Sequence, residues 1–357
     1  ASQGSQMLAP VRNALQIASG QLPAEQLGVQ ATDDLTLVVQ LVSPTAWFDY
    51  LVTNNSLYPV PPQVVRTHGA GWTRPGVMVG NGAFLLQDLR INGAIQLVRN
   101  PGYREAAAVR LQRVTYYPVG DRSATASRYL AGDLDVTDGF PLEDITWLRQ
   151  QLWNLVPAYA GYQPALPQWA SWPREQRLAR ARQLYAEAGY SKAKPLRVDL
   201  AYPTSGPDTR RVLEALAAMW QSNLGAQVRL ANEEWRVHQQ NRRLSAHALF
   251  FDAWIGDYPD PQTFMDLYRV GSPQNHGKYA NERYEQLIAT ATNTGDAALR
   301  TRSWQQAEAQ LNDDAVFIPV YFYQSRHLIR PWVQGWQDNI TDRHASRDLW
   351  LSTGASR

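Results

Sequence analysis

The sequence predicts an α/β fold, and three observations carry that prediction. Residues 196–230 read as strand, helix, strand: Leu196 to Tyr202 alternates strictly, and Val212, Leu213, Leu216 and Trp220 form an apolar stripe at helical spacing before a second apolar run at 226–230. Two strands joined through a helix pair in parallel with a right-handed crossover. Earlier, Asn92-Gly93 separates the apolar runs 83–89 and 94–98, which is a two-residue hairpin signal. The second half then alternates helical and strand patterns without an internal repeat.

The elements run in order along the chain. Residues 1–30 read as helical and then loop-like. Residues 35–41 form a strand after the turn pair Asp33-Asp34. Ser43-Pro44-Thr45 breaks it, and a short helix runs from Trp47 to Val52. Tyr58-Pro59-Val60-Pro61-Pro62 cannot continue a helix and marks a lobe boundary. After the hairpin, a strand is expected at 114–119, a helix at 123–131 ending on Gly132, and a short strand at 133–136. Ser171 caps a helix with Pro173 in its first turn, apolar on Leu178, Ala181, Tyr185 and Ala188, and ended by Gly189. Asp208 caps the next helix, and Gly225 ends it. Strands at 247–254 and 315–323 and helices at 281–293 and 298–312 complete the pattern.

Composition limits the function. The chain has 357 residues, room for two domains, and a net charge of +2 with both signs interspersed. No Lys/Arg block forms a basic stripe, which argues against a nucleic-acid partner. There is no cysteine, so zinc-thiolate sites, disulfides and thiol catalysis are excluded; that fits the periplasm or the cell exterior, though cytosolic proteins can lack cysteine too. The chain opens Ala1-Ser2-Gln3-Gly4, without Met or an apolar core segment, and reads as a mature product from which a signal peptide has been removed. No apolar run is long enough to span a membrane. Trp and Tyr number 13 and 17; most fill a core, but such side chains also suit ligand clefts and interfaces.

Catalytic signatures are missing. There is no G-x-S-x-G elbow and no H-E-x-x-H, and the glycines at 76, 80 and 82 lack the spacing and lysine of a phosphate loop. The six histidines are scattered at 68, 238, 247, 276, 327 and 344, so a metal site would need them to meet by tertiary folding. Acidic pairs at Glu233-Glu234, Asp257 with Asp260, and Asp313-Asp314 keep a glycoside hydrolase open as an alternative. No cofactor is expected.

One turn stands out. Phe250 to Pro261 carries an apolar run into a Gly/Pro/Asp-rich bend that sets Asp257 between Trp254 and Tyr258. An anion in an aromatic wall is costly to bury unless a cation meets it, and a ligand ammonium would do so. Arg242-Arg243 could hold a carboxylate through parallel hydrogen bonds, or be a solvated helix end. Alternation puts Tyr321 and Tyr323 on one face of the 315–323 strand, a candidate wall.

The chain resembles the periplasmic oligopeptide-binding proteins of peptide ABC transporters. The resemblance rests on Gly80-Asn81-Gly82-Ala83-Phe84, Leu97-Val98-Arg99-Asn100-Pro101-Gly102-Tyr103, Arg128-Tyr129-Leu130-Ala131-Gly132-Asp133-Leu134-Asp135 and Leu184-Tyr185-Ala186-Glu187-Ala188-Gly189-Tyr190. It continues through Trp254-Ile255-Gly256-Asp257-Tyr258, Ala307-Glu308-Ala309-Gln310-Leu311, Ile318-Pro319-Val320-Tyr321-Phe322-Tyr323 and Pro331-Trp332-Val333-Gln334-Gly335. These fragments appear in family order over nearly the whole chain. The resemblance implies a periplasmic-binding-protein-like fold, two lobes of mixed α/β sheets joined by a hinge with a ligand cleft between them.

It also implies function. In such proteins the carboxylate of the W-x-x-D-Y turn meets a peptide's α-ammonium, here at Asp257. Arg242 matches an arginine that pairs with the peptide carboxylate, and Arg243 replaces what is often His. Trp254, Tyr258, Tyr321 and Tyr323 would line the wall. Phe251 stands where Arg is common and Thr209 where His is common. The family's first strand has no counterpart, and a second gap falls near Leu152-Trp153. The expectation is therefore a non-enzymatic, monomeric receptor that delivers short peptides to a membrane ABC permease, with a receptor that has lost transport and turned sensor as a further alternative. The lobes are expected at 63–152 with 325–357 and at 153–324, with 1–62 a remnant of an accessory domain.

Overall fold

The computed structural model describes residues 7–45, 47–91, 93–139, 155–157, 162–164, 166–204, 207–322, 325–339 and 341–352. The chain divides into two compact units, one of Ala1–Ser56 with Leu148–Phe322 and one of Leu57–Trp147 with Tyr323–Arg357. The boundary at Ser56 lies beside the proline-rich connector, where helix and sheet pairing both fail for want of N–H donors. Residues up to Ser56 group with the later segment.

The first unit is built on the β-α-β pattern. The strand Arg197–Pro203 pairs in parallel with Gln227–Glu233 over seven residues, Arg197↔Gln227 to Pro203↔Glu233. The helix Pro207–Leu224 connects them. Leu200, Tyr202 and Leu213 form the core under this sheet, packed by Leu216, Val228, Leu230 and Phe251. Gly189, one residue beyond the helix Arg174–Glu187, and Gly225, directly after the helix Pro207–Leu224, have φ of +82° and +77°, a conformation glycine adopts without steric cost. The capping side chain of Asp208 lies outside the described residues.

Three expectations change here. The strand expected at 247–254 is only Leu249–Phe250, in parallel beside Leu200 and Ala201. Phe251 N–H still reaches the Ala201 carbonyl at 2.8 Å, but Asp252 then turns its carboxylate onto the Ala253 N–H at 3.0 Å. That local bond competes with the ladder. Residues 315–322 form no strand among the described residues: Ala315 has φ +51° and Pro319 lacks a donor. Tyr323 lies outside the described residues. Ser171 does not cap a helix. Its hydroxyl donates to the Gln168 carbonyl at 3.0 Å, and the helix Arg174–Glu187 starts after Pro173, at the N-cap. Trp172 precedes a proline and is extended, with ψ of 147°, so the helix cannot begin there.

The main core of this unit lies on the helices Glu282–Asn293 and Ala297–Asp313. Asn281 caps the first through the Tyr284 N–H, and Asp296 caps the second through the Ala298 and Leu299 N–H groups. Tyr284, Ile288 and Ala291 of one helix and Trp304, Ala307 and Leu311 of the other are all but inaccessible, and enclose Val156, Tyr162 and Met265. Near the N-terminus, Leu37–Val39 pairs antiparallel with Val29–Ala31, a partner strand that the reading of 1–30 did not foresee. The turn between them is closed by Asp33, whose carboxylate accepts the Leu35 N–H at 2.8 Å.

The second unit carries an antiparallel sheet of Phe84–Leu89, Ile95–Arg99 and Arg113–Tyr116, in that order. The hairpin register runs from Phe84↔Arg99 to Leu89↔Ile95, closed by the Arg90 N–H on the Ala94 carbonyl at 3.0 Å. Asn92 itself lies outside the described residues. The helix Arg122–Leu130 is capped by Asp121, which accepts the Ala124 N–H at 2.7 Å. The strand expected at 133–136 reduces to one bridge, Val136↔Ile329. No helix of the described residues is long and apolar enough to cross a membrane.

Candidate functional site

The bend at 251–261 is fixed by the short helix on its C-terminal side. Asp260 is 8% exposed; its carboxylate accepts the Gln262 N–H at 3.0 Å and an Arg300 guanidinium N–H at 2.8 Å. That starts the helix Gln262–Met265. The Thr263 hydroxyl oxygen then accepts the Asp257 backbone N–H at 3.0 Å and the Trp254 indole N–H at 3.4 Å. One side chain thereby sets both the carboxylate residue and its aromatic neighbour. Packing is tight at Gly256: a Cβ there would lie 3.2 Å from the Thr263 methyl and 3.3 Å from the Phe264 ring, so those neighbours would have to give by a few tenths of an ångström.

Asp257, Trp254 and Tyr258 meet at one cavity of about 270 Å³ within the first unit. Trp47, Leu51, Gln262, Thr263, Asp266 and Arg269 also line it. Trp254 is 38% exposed and forms accessible wall, whereas Tyr258 is buried and stacks flat on Trp47, centroids 4.6 Å apart at 2°. Burial pushes the Tyr258 hydroxyl well above its usual range, so it stays a neutral donor. Gln262 Oε1 is a buried acceptor without a hydrogen-bond partner among the described residues, and Asp266 Oδ1, likewise buried, lies 3.7 Å from the Arg269 guanidinium.

Burial also pushes the Asp266 carboxyl up from 3.8 to about 6, opposed by Arg269 and Gln262. A carboxyl whose folded value is raised binds more protons in the fold than in the unfolded chain between the two values. Its contribution to stability therefore falls as pH rises from about 4 to about 6, and is constant above. The side chain is 35% open to solvent, which limits the effect to roughly 1–2 kcal/mol. Urea unfolding at pH 4.5 and 6.5 is expected to show Asp266→Asn gaining clearly more stability relative to the wild type at the higher pH than at the lower. An identical pH slope in both proteins would remove this carboxyl from the account.

The arginine pair separates. Arg242 is 7% exposed, and its guanidinium meets Asp252 Oδ2 at 2.6 Å. Burial raises the Asp252 carboxyl while Arg242 opposes the shift. Arg242, expected to meet a ligand carboxylate, is engaged here by an internal one. Arg243 is exposed and makes no ion pair among the described residues. Burial and then the two arginines lower His276 to about 4, so this imidazole stays neutral. Neither arginine lines the cavity, nor does Tyr321, whose ring packs on Phe251 with centroids 6.3 Å apart.

At least one member of each acidic pair, among them Asp260, is engaged within the protein. Glu233 accepts from Asn241 Nδ2 at 2.6 Å and contacts His238 Nδ1 and His247 Nε2, each at 2.9 Å. Glu234 caps the helix Trp235–Leu244. Asp314 accepts from Tyr279, Asn281 and Gln310. Sequence reasoning missed Thr263, Gln262 and Asp266. The signal was present as Pro261 with a polar residue at 263, the start of a helix pointing back at the bend.

The sequence model of the bacterial extracellular solute-binding proteins, family 5, matches residues 4–152 and 149–276. The two pieces meet where the sequence places an internal gap. The chain is 31% identical over 400 residues to the periplasmic murein peptide-binding protein MppA of Escherichia coli, covering 96% of this chain and 74% of that protein. It is 30% identical over 394 residues to the periplasmic oligopeptide-binding protein OppA of the same organism, covering 94% and 72%. The solved structure of the E. coli murein tripeptide binding protein MppA superposes with a TM-score of 0.86 at 30% identity, over 98% of this chain and 80% of that one. Haemophilus influenzae OppA, solved in complex with the peptide RPPGFSPFR, gives 0.84 at 28% identity, over 98% and 79%.

Proposed function

The chain belongs to the bacterial extracellular solute-binding proteins of family 5, and from that premise we propose that it is a periplasmic receptor that binds short peptides and delivers them to an ABC permease. Its relatives are named for binding oligopeptides and murein peptides in the periplasm, and one was solved with a nonapeptide bound. Members of the family bind solutes rather than transform them. For this chain, the internal partners of Glu233, Glu234, Asp260 and Asp314 support the same reading and disfavour a glycoside hydrolase.

One observation supports the site assignment above others: two carboxylate residues, Asp257 and Asp266, line one cavity with the Trp254 indole. A primary ammonium has three donors and a charge, which suits a carboxylate beside an indole face. In this reading Asp257 receives the peptide's α-ammonium and Trp254 flanks it. Tyr258 and Trp47 form the floor. Arg243, exposed, is the candidate for the peptide carboxylate; Arg242 holds Asp252 and positions rather than binds. Tyr321 and Tyr323 remain wall candidates.

Native mass spectrometry of the chain purified without denaturation tests the receptor reading. A co-purified adduct with the mass of a short peptide, displaced by an added tripeptide, is the expected result. A chain that carries no adduct and takes up no peptide, murein tripeptide or bile acid would overturn the reading; the bile acid is included because a relative is named as a probable deoxycholate-binding protein.

A further inference from the structure

His327, Asp342 and His344 each place one ligand atom within 4.8 Å of the others, inside the second unit. His327 Nε2 lies 2.8 Å from Asp342 Oδ1, and His344 Nε2 lies 3.0 Å from the same oxygen. The other ring nitrogen of His327 decides the chemistry. Its Nδ1 is 2.7 Å from the Thr137 carbonyl oxygen. A carbonyl only accepts, so Nδ1 carries the proton. In a neutral His327 the Nε2 therefore presents a lone pair to a carboxylate oxygen that presents lone pairs too. Two acceptors this close repel unless a cation stands between them, which must be either a second ring proton or a metal ion.

The surroundings resemble the support a metal site needs. A metal-binding histidine donates its far N–H to a carbonyl or carboxylate, which fixes the ring. Thr137 is itself held: its N–H reaches the Leu328 carbonyl at 3.0 Å, and its hydroxyl accepts the Leu328 N–H at 3.0 Å. Trp336 stacks on His344 with centroids 3.6 Å apart at 16° and packs on His327 at 4.8 Å. The two imidazoles are 13% and 9% exposed while Asp342 is 37% exposed, so the rings are fixed and one side stays open to solvent.

We propose that His327 Nε2, His344 Nε2 and Asp342 Oδ1 bind one divalent transition-metal ion, zinc in the first instance, with its fourth position open to water. Two imidazoles and a carboxylate suit zinc or nickel, whereas magnesium and calcium prefer all-oxygen shells. Ligands about 2.0–2.1 Å from a tetrahedral ion stand roughly 3.3 Å apart, so each histidine need draw back from Asp342 by only a few tenths of an ångström, while the two imidazole nitrogens stand within 4.8 Å of each other. The competing arrangement is an imidazolium–carboxylate pair without metal.

Calorimetric titration of the untagged, chelator-dialysed chain with zinc chloride separates the two. One ion per chain is expected, with no saturable uptake of magnesium. His344→Gln and His327→Gln should each weaken zinc binding by roughly tenfold or more. Circular dichroism checks that each variant is folded; if either histidine variant unfolds, Asp342→Asn carries the test. No stoichiometric zinc uptake by the wild type, or uptake unchanged in the folded variants, would overturn the proposal. Peptide binding is read separately in the same protein, so this result stands apart from the receptor reading.

Discussion

Glu308→Ala is expected to lower the unfolding free energy by about 3–5 kcal/mol, measured by urea denaturation. Glu308 is fully buried on the helix Ala297–Asp313. Its Oε1 accepts the N–H groups of Leu155 at 2.6 Å and Val156 at 2.8 Å, and its Oε2 accepts the Tyr162 hydroxyl at 2.7 Å. Burial raises this carboxyl, and the three donors oppose the shift without cancelling it. Alanine leaves three donors facing a core, each costing about 1–3 kcal/mol when unpaired, and opens a cavity as well. Glu308→Gln keeps the shape and one acceptor, so it should lose only about 1–2 kcal/mol. An alanine variant as stable as the wild type would mean that Leu155, Val156 and Tyr162 do not dock through this residue.

Asp257→Asn is expected to weaken tripeptide binding by roughly 1.5–3 kcal/mol, the scale of a hydrogen bond to a charged group, or about ten- to 150-fold in Kd. The substitution keeps the shape and the backbone N–H that Thr263 accepts, so the bend should persist. The variant's unfolding midpoint should match the wild type, which separates lost recognition from lost fold. Unchanged calorimetric affinity would remove Asp257 from the site and leave Asp266, on the same cavity, as the carboxylate to examine.

Much of the fold was legible because its determinants are local. Alternation at 196–202, the stripe on Val212 and Leu213, and the helix-ending Gly189 and Gly225 each act within a few residues. The failures share a different cause. Residues 315–322 look like a strand, but a strand exists only with a partner, and Pro319 and the turn at Ala315 deny one. Ser171 looks like a cap, but Pro173 fixes where the helix can start.

The site divides in the same way. The bend holding Trp254, Asp257 and Tyr258 could be read from twelve consecutive residues. The Arg242–Asp252 ion pair could not, because a sequence does not state which charge meets which across a strand. Glu308 was nearer to legible. It stands four residues after Trp304 and three before Leu311, so a carboxylate on that buried stripe implies donors brought from elsewhere. His327 and His344 looked scattered because only the fold brings the first to the second.

The central claim is that the Asp257 cavity recognises a peptide's positive end. Calorimetric titration of the wild-type chain with a free tripeptide and with its N-acetylated counterpart tests it most directly. The account predicts that the free amine binds at least about tenfold tighter, the loss of one charge-assisted contact. Equal affinity for the two peptides would contradict it.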